Sequence, residues 1–513
     1  MDNLSKVWIV DFGSQYTQLI ARRVREFSVY SEIVLPSITV DKIKENNISA
    51  LILSGGPSSV NDEDAPQISR EIYDLNIPIL GICYGLQYTI QSFGGKVHSS
   101  DGREYGRSKI HYKQQHPLFK DIEENTTVWM SHGDHIDSIP EAFEIVALSE
   151  NNVPAALTHK AKNICGLQFH PEVVHTDKGK EILSNFLFEI AELKQNWTAE
   201  HFINEETRKL KKIIGRDKVL MGLSGGVDST VMAVLINNAI GEHCTPVFID
   251  NGLLRLKEQE KVIKMLRDDM GLPVEMHDYS QQFLTALKGV TDPEQKRKII
   301  GKEFIKAFEE ITKLHKDYKY LAQGTLYPDV IESRSVKGKS QVIKSHHNVG
   351  GLPERMKMKL IEPFNSLFKD EVRNIGAKLG IAKDIINRHP FPGPGLGVRI
   401  LGEITPERID LLQRADDIFI QELHNFDYYN KVWQAFAVFL PVRTVGVMGD
   451  QRTYENVVAL RSVNSLDGMT ADWSQLPHDL LSKAANRIVN EIRGINRVVY
   501  DITSKPPGTI EWE

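Results

Sequence analysis

Cysteine is scarce: 513 residues contain 3, at Cys83, Cys165 and Cys244. So few and so scattered, they exclude a disulfide framework and a cysteine-built zinc site, and leave a lone cysteine as a candidate for chemistry of its own. Long apolar runs are missing, and Met1-Asp2-Asn3 opens with neither the basic nor the apolar stretch of an export signal. The expectation is a soluble, cytoplasmic chain with no membrane partner. Basic excess is absent too, since a formal net charge of −6 without any lysine/arginine tract argues against nucleic acid as a partner. Length is not lacking, and a chain of this size is expected to divide into about three domains at roughly 150 residues each.

The stretch that organises the rest runs from Lys218 to Thr230. A short apolar strand (Val219, Leu220, Met221) leads into Ser224-Gly225-Gly226-Val227-Asp228-Ser229 and then a helix. Paired glycines let loop N–H groups converge on an anion at the helix start, which makes a phosphate cradle. The Gly-Lys-Ser/Thr ending of a Walker loop is missing, so Asp228 stands where a magnesium ion would be held. A plain strand-to-helix turn is the alternative for two glycines alone. With both serines and the aspartate present, the string resembles the signature loop of the N-type ATP pyrophosphatases, which implies ATP and Mg2+ at Ser224, Gly225, Gly226, Val227, Asp228 and Ser229.

Residues 1–194 alternate strand-like runs (Val7 to Val10, Ala50 to Leu53, Ile77 to Ile82) with helical patterns such as Tyr16 to Glu26. That alternation predicts a doubly wound, mainly parallel sheet with function at the strands' carboxyl ends. Gly81-Ile82-Cys83-Tyr84-Gly85 ends the third run as a nucleophile elbow with cysteine in place of serine, its thiol at a helix N-terminus that favours thiolate. His170 and Glu172, two apart in an extended run from Ile164 to Phe169, are expected to face the same way and complete a Cys-His-Glu triad. Oxyanion donors would be the Tyr84 N–H and the Gly55-Gly56 turn. A single cysteine near a strand end is more often core, the reading given to Cys165 and Cys244. His132 and His135 are alternative bases, ranked below His170 because it alone has a carboxylate in register. Gly-Gly-Pro at 55–57, Gly-Ile-Cys-Tyr-Gly at 81–85 and Gln-Phe-His-Pro-Glu at 168–172 together resemble the class I glutamine amidotransferases. The resemblance implies that Cys83 attacks the glutamine carboxamide and releases ammonia, with Gln87 and Ser131-His132-Gly133-Asp134 helping to hold the substrate.

Residues 195–388 read as a second doubly wound α/β domain, entered through a polar connector that Trp197 anchors. A strand from Thr245 to Ile249 ends in Asp250-Asn251-Gly252-Leu253-Leu254-Arg255, suited to nucleotide contact. A further strand, Tyr320 to Ala322, leads to Asp329 and Glu332, which with Asp228 are candidate oxygen ligands for magnesium. Arg297 and the loop from Lys344 to Pro353 read either as solvated charge or as a lid that neutralises ATP and excludes water.

Residues 389–513 begin with a shaped Gly/Pro loop carrying Gly393 and Gly395, continue with a helix capped by Thr405-Pro406-Glu407, and form a small α+β dimerisation domain. Asp450, Arg452, Lys505, Ile510 and Glu511 lie in loops that join cations to carboxylates, and surface salt bridges are the plainer reading of them. An amidotransferase, an ATP pyrophosphatase and this tail, in that order, resemble the glutamine-hydrolysing GMP synthases over essentially the whole chain. The resemblance implies a homodimer that adenylates xanthosine monophosphate (XMP) and aminates it with ammonia drawn from glutamine. It assigns Gly393, Gly395, Asp450, Arg452, Lys505, Ile510 and Glu511 to XMP, with Arg297 and Lys344 closing over the intermediate. An ATP-dependent amidotransferase acting on another carbonyl, and a scaffold with a dead amidotransferase fold, are the alternatives; both catalytic sets are intact.

Overall fold

In the computed structural model, residues 4–315, 317–335, 358–448, 451–465 and 470–513 are described, without the side chains of 99–103, 332–335, 448 and 451. They form two compact units, Met1–Glu205 and Glu206–Glu513.

The first unit contains β1 (Lys6–Val10), α1 (Thr17–Glu26), β2 (Tyr30–Val34), α2 (Val40–Glu45), β3 (Ala50–Leu53), β4 (Ile79–Ile82), α3 (Tyr84–Ser92), β5 (Lys96–Tyr112), β6 (Thr127–Ser138), β7 (Phe143–Ser149), β8 (Pro154–His159), β9 (Ile164–Leu167) and α4 (Gly179–Asn185). Its nine strands run in the order β2-β1-β3-β4-β9-β8-β7-β5-β6. The half from β2 to β9 is parallel, and the half from β8 to β6 is antiparallel. β3, β4 and β9 are buried at every residue, which is why each reads as a continuous apolar run. Trp197 docks on this unit, its N–H donating to the Ser28 carbonyl (2.8 Å) and its indole lying under the Arg25 guanidinium at 4.7 Å.

Helix α5 (Ala199–Ile214) carries the chain across the division at 205/206. The second unit then has β10 (Lys218–Leu223), α6 (Val227–Ile240), β11 (Cys244–Asp250), α7 (Glu258–Ile263), β12 (Glu275–Asp278), α8 (Ser280–Leu287), α9 (Pro293–Leu314), β13 (Tyr318–Ala322), α10 (Tyr327–Ser335), β14 (Lys359–Ile361), α11 (Lys369–Lys378), α12 (Lys383–Ile386), α13 (Pro406–Asn425), β15 (Gln434–Met448), β16 (Gln451–Asn464), β17 (Asp472–Trp473), α14 (His478–Glu491) and β18 (Ile495–Asp501). A five-stranded parallel sheet, β12-β11-β10-β13-β14, carries the phosphate-loop candidate. A second sheet is a long antiparallel hairpin, β15-β16, flanked by β17 and by β18 parallel to β16. The Thr405 hydroxyl accepts from the Arg408 N–H (3.3 Å), the cap the sequence predicts for α13.

One apolar cluster contains Leu220 and Val247 of the parallel sheet, Ile300 of α9, Leu396, Phe419 of α13 and Ile488 of α14. The expected boundary at 388/389 therefore falls inside one compact unit with a continuous core. Phe419 is fully buried in it. Phe419→Ala is expected to cost about 3–5 kcal/mol and to lower the hydrogen-exchange protection of β10 and β16 amides together. Loss of protection in β16 alone would mean that the two sheets unfold independently.

Candidate active sites

The first site is set by backbone geometry where β4 ends. Cys83 sits at φ 51° and ψ −105°, between the strand and the first turn of α3, and its N–H donates to the Leu167 carbonyl at 2.7 Å. The turn is tight enough that a Cβ on Gly81 would lie 2.7 Å from the Gly85 carbonyl carbon. A Cβ on Gly85 would run into the Leu53 carbonyl. Both flanking glycines are thus required by close approach. The chain then lifts the thiol out at the N-terminus of α3, where the first-turn N–H groups, Tyr84 among them, have no intrahelical acceptor.

β9 stops at Leu167, two residues short of the predicted extended run, so His170 lies just past the bend at 168–169 and Glu172 in the turn that follows. They still meet: His170 Nδ1 is 2.7 Å from Glu172 Oε1, and both side chains are buried. Burial alone would lower the His170 pKa, but the Glu172 charge, together with hydrogen bonds to Cys83 and Glu172, holds it well above the usual histidine value. A Cβ on Gly55 would fall 2.9 Å from His170 Cε1 and 3.7 Å from Cys83 Cβ, so this glycine keeps space open beside thiol and imidazole. Gly56 is forced by the Phe12 carbonyl, 2.7 Å from its would-be Cβ. The Cys83 thiol also donates to the Ser131 carbonyl (3.7 Å), and Gln87 Nε2 donates to the Asp134 carbonyl (3.1 Å). A thiol, an imidazole and an orienting carboxylate in series are what nucleophilic acyl transfer needs.

His170 is not alone in having a carboxylate. His132 Nε2 lies 3.4 Å from Glu104 Oε2, a partner on the neighbouring strand that spacing within one segment cannot reveal. Burial pushes the His132 pKa down. Cys165 and Cys244 are core, their thiols pushed up by burial to about 11 and about 12.

The second site lies between β10 and α6. Gly225 has φ +72°, which a Cβ would penalise, and Gly226 is the N-cap of α6. Ser224 Oγ accepts from the Gly226 N–H (3.3 Å), and Ser229 Oγ donates to the Gly226 carbonyl (3.1 Å), so the two serines shape the loop from within. Val227 is buried and begins the helix. Asp228 follows in the first turn; burial raises its pKa, Asp329 adds to the rise, and Lys369 and Arg373 oppose it. Its Oδ1 is buried without a hydrogen-bond partner among the described residues, while Oδ2 is 3.8 Å from Lys369 Nζ. Arg388 donates to the Gly225 carbonyl (2.9 Å) and pairs with Glu258. Lys369, Arg373 and Arg388 went unnoticed in the sequence, where α11 reads as an ordinary charged helix and Arg388 as part of a turn. The side chain of Glu332, Lys344 with its loop, and Asp450 lie outside the described residues.

The C-terminal candidates fall into separate places. Gly395 (φ +61°) packs its loop on the strand-end loop after β11: a Cβ would meet the Leu253 carbonyl, which also accepts from the Leu396 N–H at 2.8 Å. Gly393 is exposed at the same loop. Glu511 is held by the buried Arg399 (2.9 and 3.1 Å) and by Gln434 (2.9 Å). Buried Ile510 gives its carbonyl to Arg461 (3.4 Å), and Lys505 is fixed through its backbone to Ala471 (2.7 and 3.0 Å). Arg297 donates to the Glu513 carbonyl. Arg452 stands apart, opposite Val447 near the tip of the β15-β16 hairpin, whereas Gln434, which holds Glu511, pairs with Val463 at its base. At about 3.3 Å per residue that separation is on the order of 40 Å, so one chain does not bring Arg452 to Glu511.

These features define a nucleophilic amidotransferase unit joined to a nucleotide-loop unit, and the family models agree in order. Residues 8–190 match the class-I glutamine amidotransferase model, 198–309 the NAD synthase model and 421–512 the GMP synthase C-terminal domain model. Among curated relatives, the glutamine-hydrolysing GMP synthase of Brachyspira hyodysenteriae is 55% identical over 512 residues, covering 100% of each chain. That of Chlorobium chlorochromatii is 57% identical over 99% of this chain and 100% of its own, and that of Aquifex aeolicus 55% over 99% of each. Among solved structures, a glutamine amidotransferase of Thermotoga maritima aligns over 37% of this chain and 98% of its own at 18% identity and a TM-score of 0.31. The chain belongs to the glutamine-hydrolysing GMP synthase family.

The elevated His170 pKa yields a pH prediction. The imidazolium is favoured because Glu172 outweighs burial, so removing that charge lets the pKa fall. Glu172→Gln should shift the alkaline limb of the glutamine-dependent kcat/KM profile to lower pH and reduce turnover by about 10²-fold or more. A limb that stays in place would deny Glu172 its electrostatic role.

Proposed function

We propose that this chain makes GMP from XMP, ATP and glutamine. Cys83 attacks the glutamine carboxamide carbon to give a tetrahedral adduct, His170 moves the thiol proton to the departing nitrogen, and ammonia leaves as the C–N bond breaks, giving a glutamyl thioester that water then hydrolyses to glutamate. Glu172 orients and charges His170, and the N–H groups of Tyr84 and the Gly55-Gly56 turn face the oxyanion. In the second unit the C2 oxygen of XMP attacks the α-phosphorus of ATP, and pyrophosphate leaves into the loop Ser224 to Ser229. Ammonia then adds at C2 and AMP departs. Adenylation is needed because a carbonyl oxygen is a poor leaving group at neutral pH and AMP is a far better one.

Magnesium fits the donor set: Asp228 Oδ1 is a buried oxygen without a hydrogen-bond partner among the described residues, and Asp329 is near enough to raise the Asp228 pKa. Those two carboxylates would hold the ion, with Glu332 a further candidate, and when bound it would neutralise charge on the leaving pyrophosphate. Lys369 and Arg373 would balance the same charge from α11. Gly393, Gly395, Lys505, Ile510 and Glu511 are the XMP candidates of one chain, with Arg297 and Lys344 closing over the intermediate.

A homodimer and a cytoplasmic location belong to the same reading. The hairpin leaves the cross-strand partners Val445 (50%) and Tyr454 (59%) exposed, with Val447 (73%) two residues along the same strand, an apolar face suited to a second copy.

The observation that carries the reading is similarity along the whole chain to glutamine-hydrolysing GMP synthases, at 55% identity to that of Brachyspira hyodysenteriae, and the His170–Glu172 and Ser224–Gly226 contacts support it. The test is GMP and pyrophosphate formation from XMP, ATP and magnesium with glutamine or ammonium. Cys83→Ala should abolish glutamine-driven turnover and keep ammonium-driven turnover. A wild type that forms neither product with ammonium would overturn the XMP assignment. Independently, light scattering at micromolar protein should give a dimer mass, and Val447→Asp should shift it toward monomer.

A further inference from the structure

The first unit buries a second imidazole-carboxylate pair close to the triad. Glu104 on β5 and His132 on β6 are cross-strand partners, and both side chains are buried. His132 Nδ1 lies 3.1 Å from the Asp134 carbonyl, which can only accept, so that nitrogen carries the ring proton. Nε2 then faces Glu104 Oε2 at 3.4 Å. Neither atom has a hydrogen-bond partner among the described residues, so the contact is one that a donor on either side would complete. The far side of Glu104 is pinned, with Oε1 accepting from Ser149 Oγ (3.0 Å) and from Asn151 Nδ2 (2.7 Å) on the turn after β7.

What His132 holds is the backbone beside the nucleophile. The Asp134 carbonyl that takes its Nδ1–H also accepts from Gln87 Nε2 (3.1 Å), and the Ser131 carbonyl, one residue before His132, accepts from the Cys83 thiol (3.7 Å). A chain of contacts therefore runs from Asn151 and Ser149 through Glu104 and His132 to both carbonyls. We propose that Glu104 is a positioning residue of the glutamine site, acting through His132 to fix the backbone from Ser131 to Asp134; this rests on the glutamine-hydrolysing reading of Cys83. Glu104 itself touches neither Cys83 nor His170 in any contact described. Its removal leaves His132 buried with one partner and frees the two carbonyls to shift, which weakens glutamine binding and leaves ammonium-driven synthesis untouched.

The experiment is steady-state kinetics of the full chain with glutamine and with ammonium. Glu104→Ala should raise the glutamine KM by about tenfold, the scale of one lost buried partner, with ammonium-driven turnover unchanged. Glu104→Gln should restore most of the affinity, because its amide N–H can donate to Nε2 of a neutral imidazole while its oxygen still accepts from Ser149 and Asn151. Asn151→Ala, at an exposed turn, should raise KM by a smaller factor and tests the same chain if Glu104→Ala does not fold. An unchanged glutamine KM in Glu104→Ala, or in Asn151→Ala where the former is unfolded, overturns the proposal, as does a Gln variant no better than Ala. Glutamine-driven turnover that survives Cys83→Ala would instead sink the reading beneath it.

Discussion

Cys83 is held at φ 51° without being glycine, and the first site depends on that conformation. A side chain with a Cβ pays roughly 1–3 kcal/mol to sit there, so the conformation persists only where its surroundings over-determine it. They do: its N–H is fixed by Leu167, and the helix behind it is drawn so close to β3 and β4 that Gly81 and Gly85 can carry no Cβ. The second site solves the same strand-to-helix turn differently. There the positive φ belongs to Gly225, where it costs little, and the proposed phosphate cradle would need backbone N–H groups and no side chain at that point. A nucleophile must keep its side chain, and so the strained turn falls on the amidotransferase unit.

Charge is handled in an equally local way. Asp228 is partly buried with a carboxylate neighbour, an arrangement that opposes ionisation, and Lys369 and Arg373 supply only part of the compensation. Such a half-satisfied acid beside the Ser224 to Ser229 loop is the oxygen that the proposed magnesium ion would use. As a structural ion pair it would be poor, since buried pairs stabilise only when their hydrogen bonds are complete.

Much of this was legible along the chain. The Gly-Ile-Cys-Tyr-Gly elbow, the Ser-Gly-Gly-Val-Asp-Ser loop and the Thr405 cap are local signals, each written in a few adjacent residues whose backbone demands are steep. What escaped is what strand pairing and helix packing bring together. Glu104 meets His132 only because β5 and β6 align them, and the sequence put His170 ahead on a register argument that the end of β9 at Leu167 does not satisfy. Arg388 reaches Gly225 across 163 positions. Arg452 and Glu511 both read as ligand chemistry, yet a single hairpin holds them far apart, because strand length sets distance and a motif does not.

The C-terminal loops show why arginine does this long-range work. The tail from Thr503 to Glu511 has no helix or long strand of its own, so its carbonyls and carboxylates must find donors elsewhere. Arg461, fully buried, donates to the carbonyls of Thr503 (2.5 Å), Thr509 (3.0 Å) and Ile510 (3.4 Å), and lies 3.1 Å from Asp501. Arg399, equally buried, grips both oxygens of Glu511 while its face lies 4.0 Å from the Phe436 ring centroid. A lysine offers one point charge and cannot serve three carbonyls in a plane or stack on an aromatic ring. The irregular tail is therefore shaped by two rigid guanidinium forks, and any candidate ligand residue on it is placed only as accurately as those forks are packed.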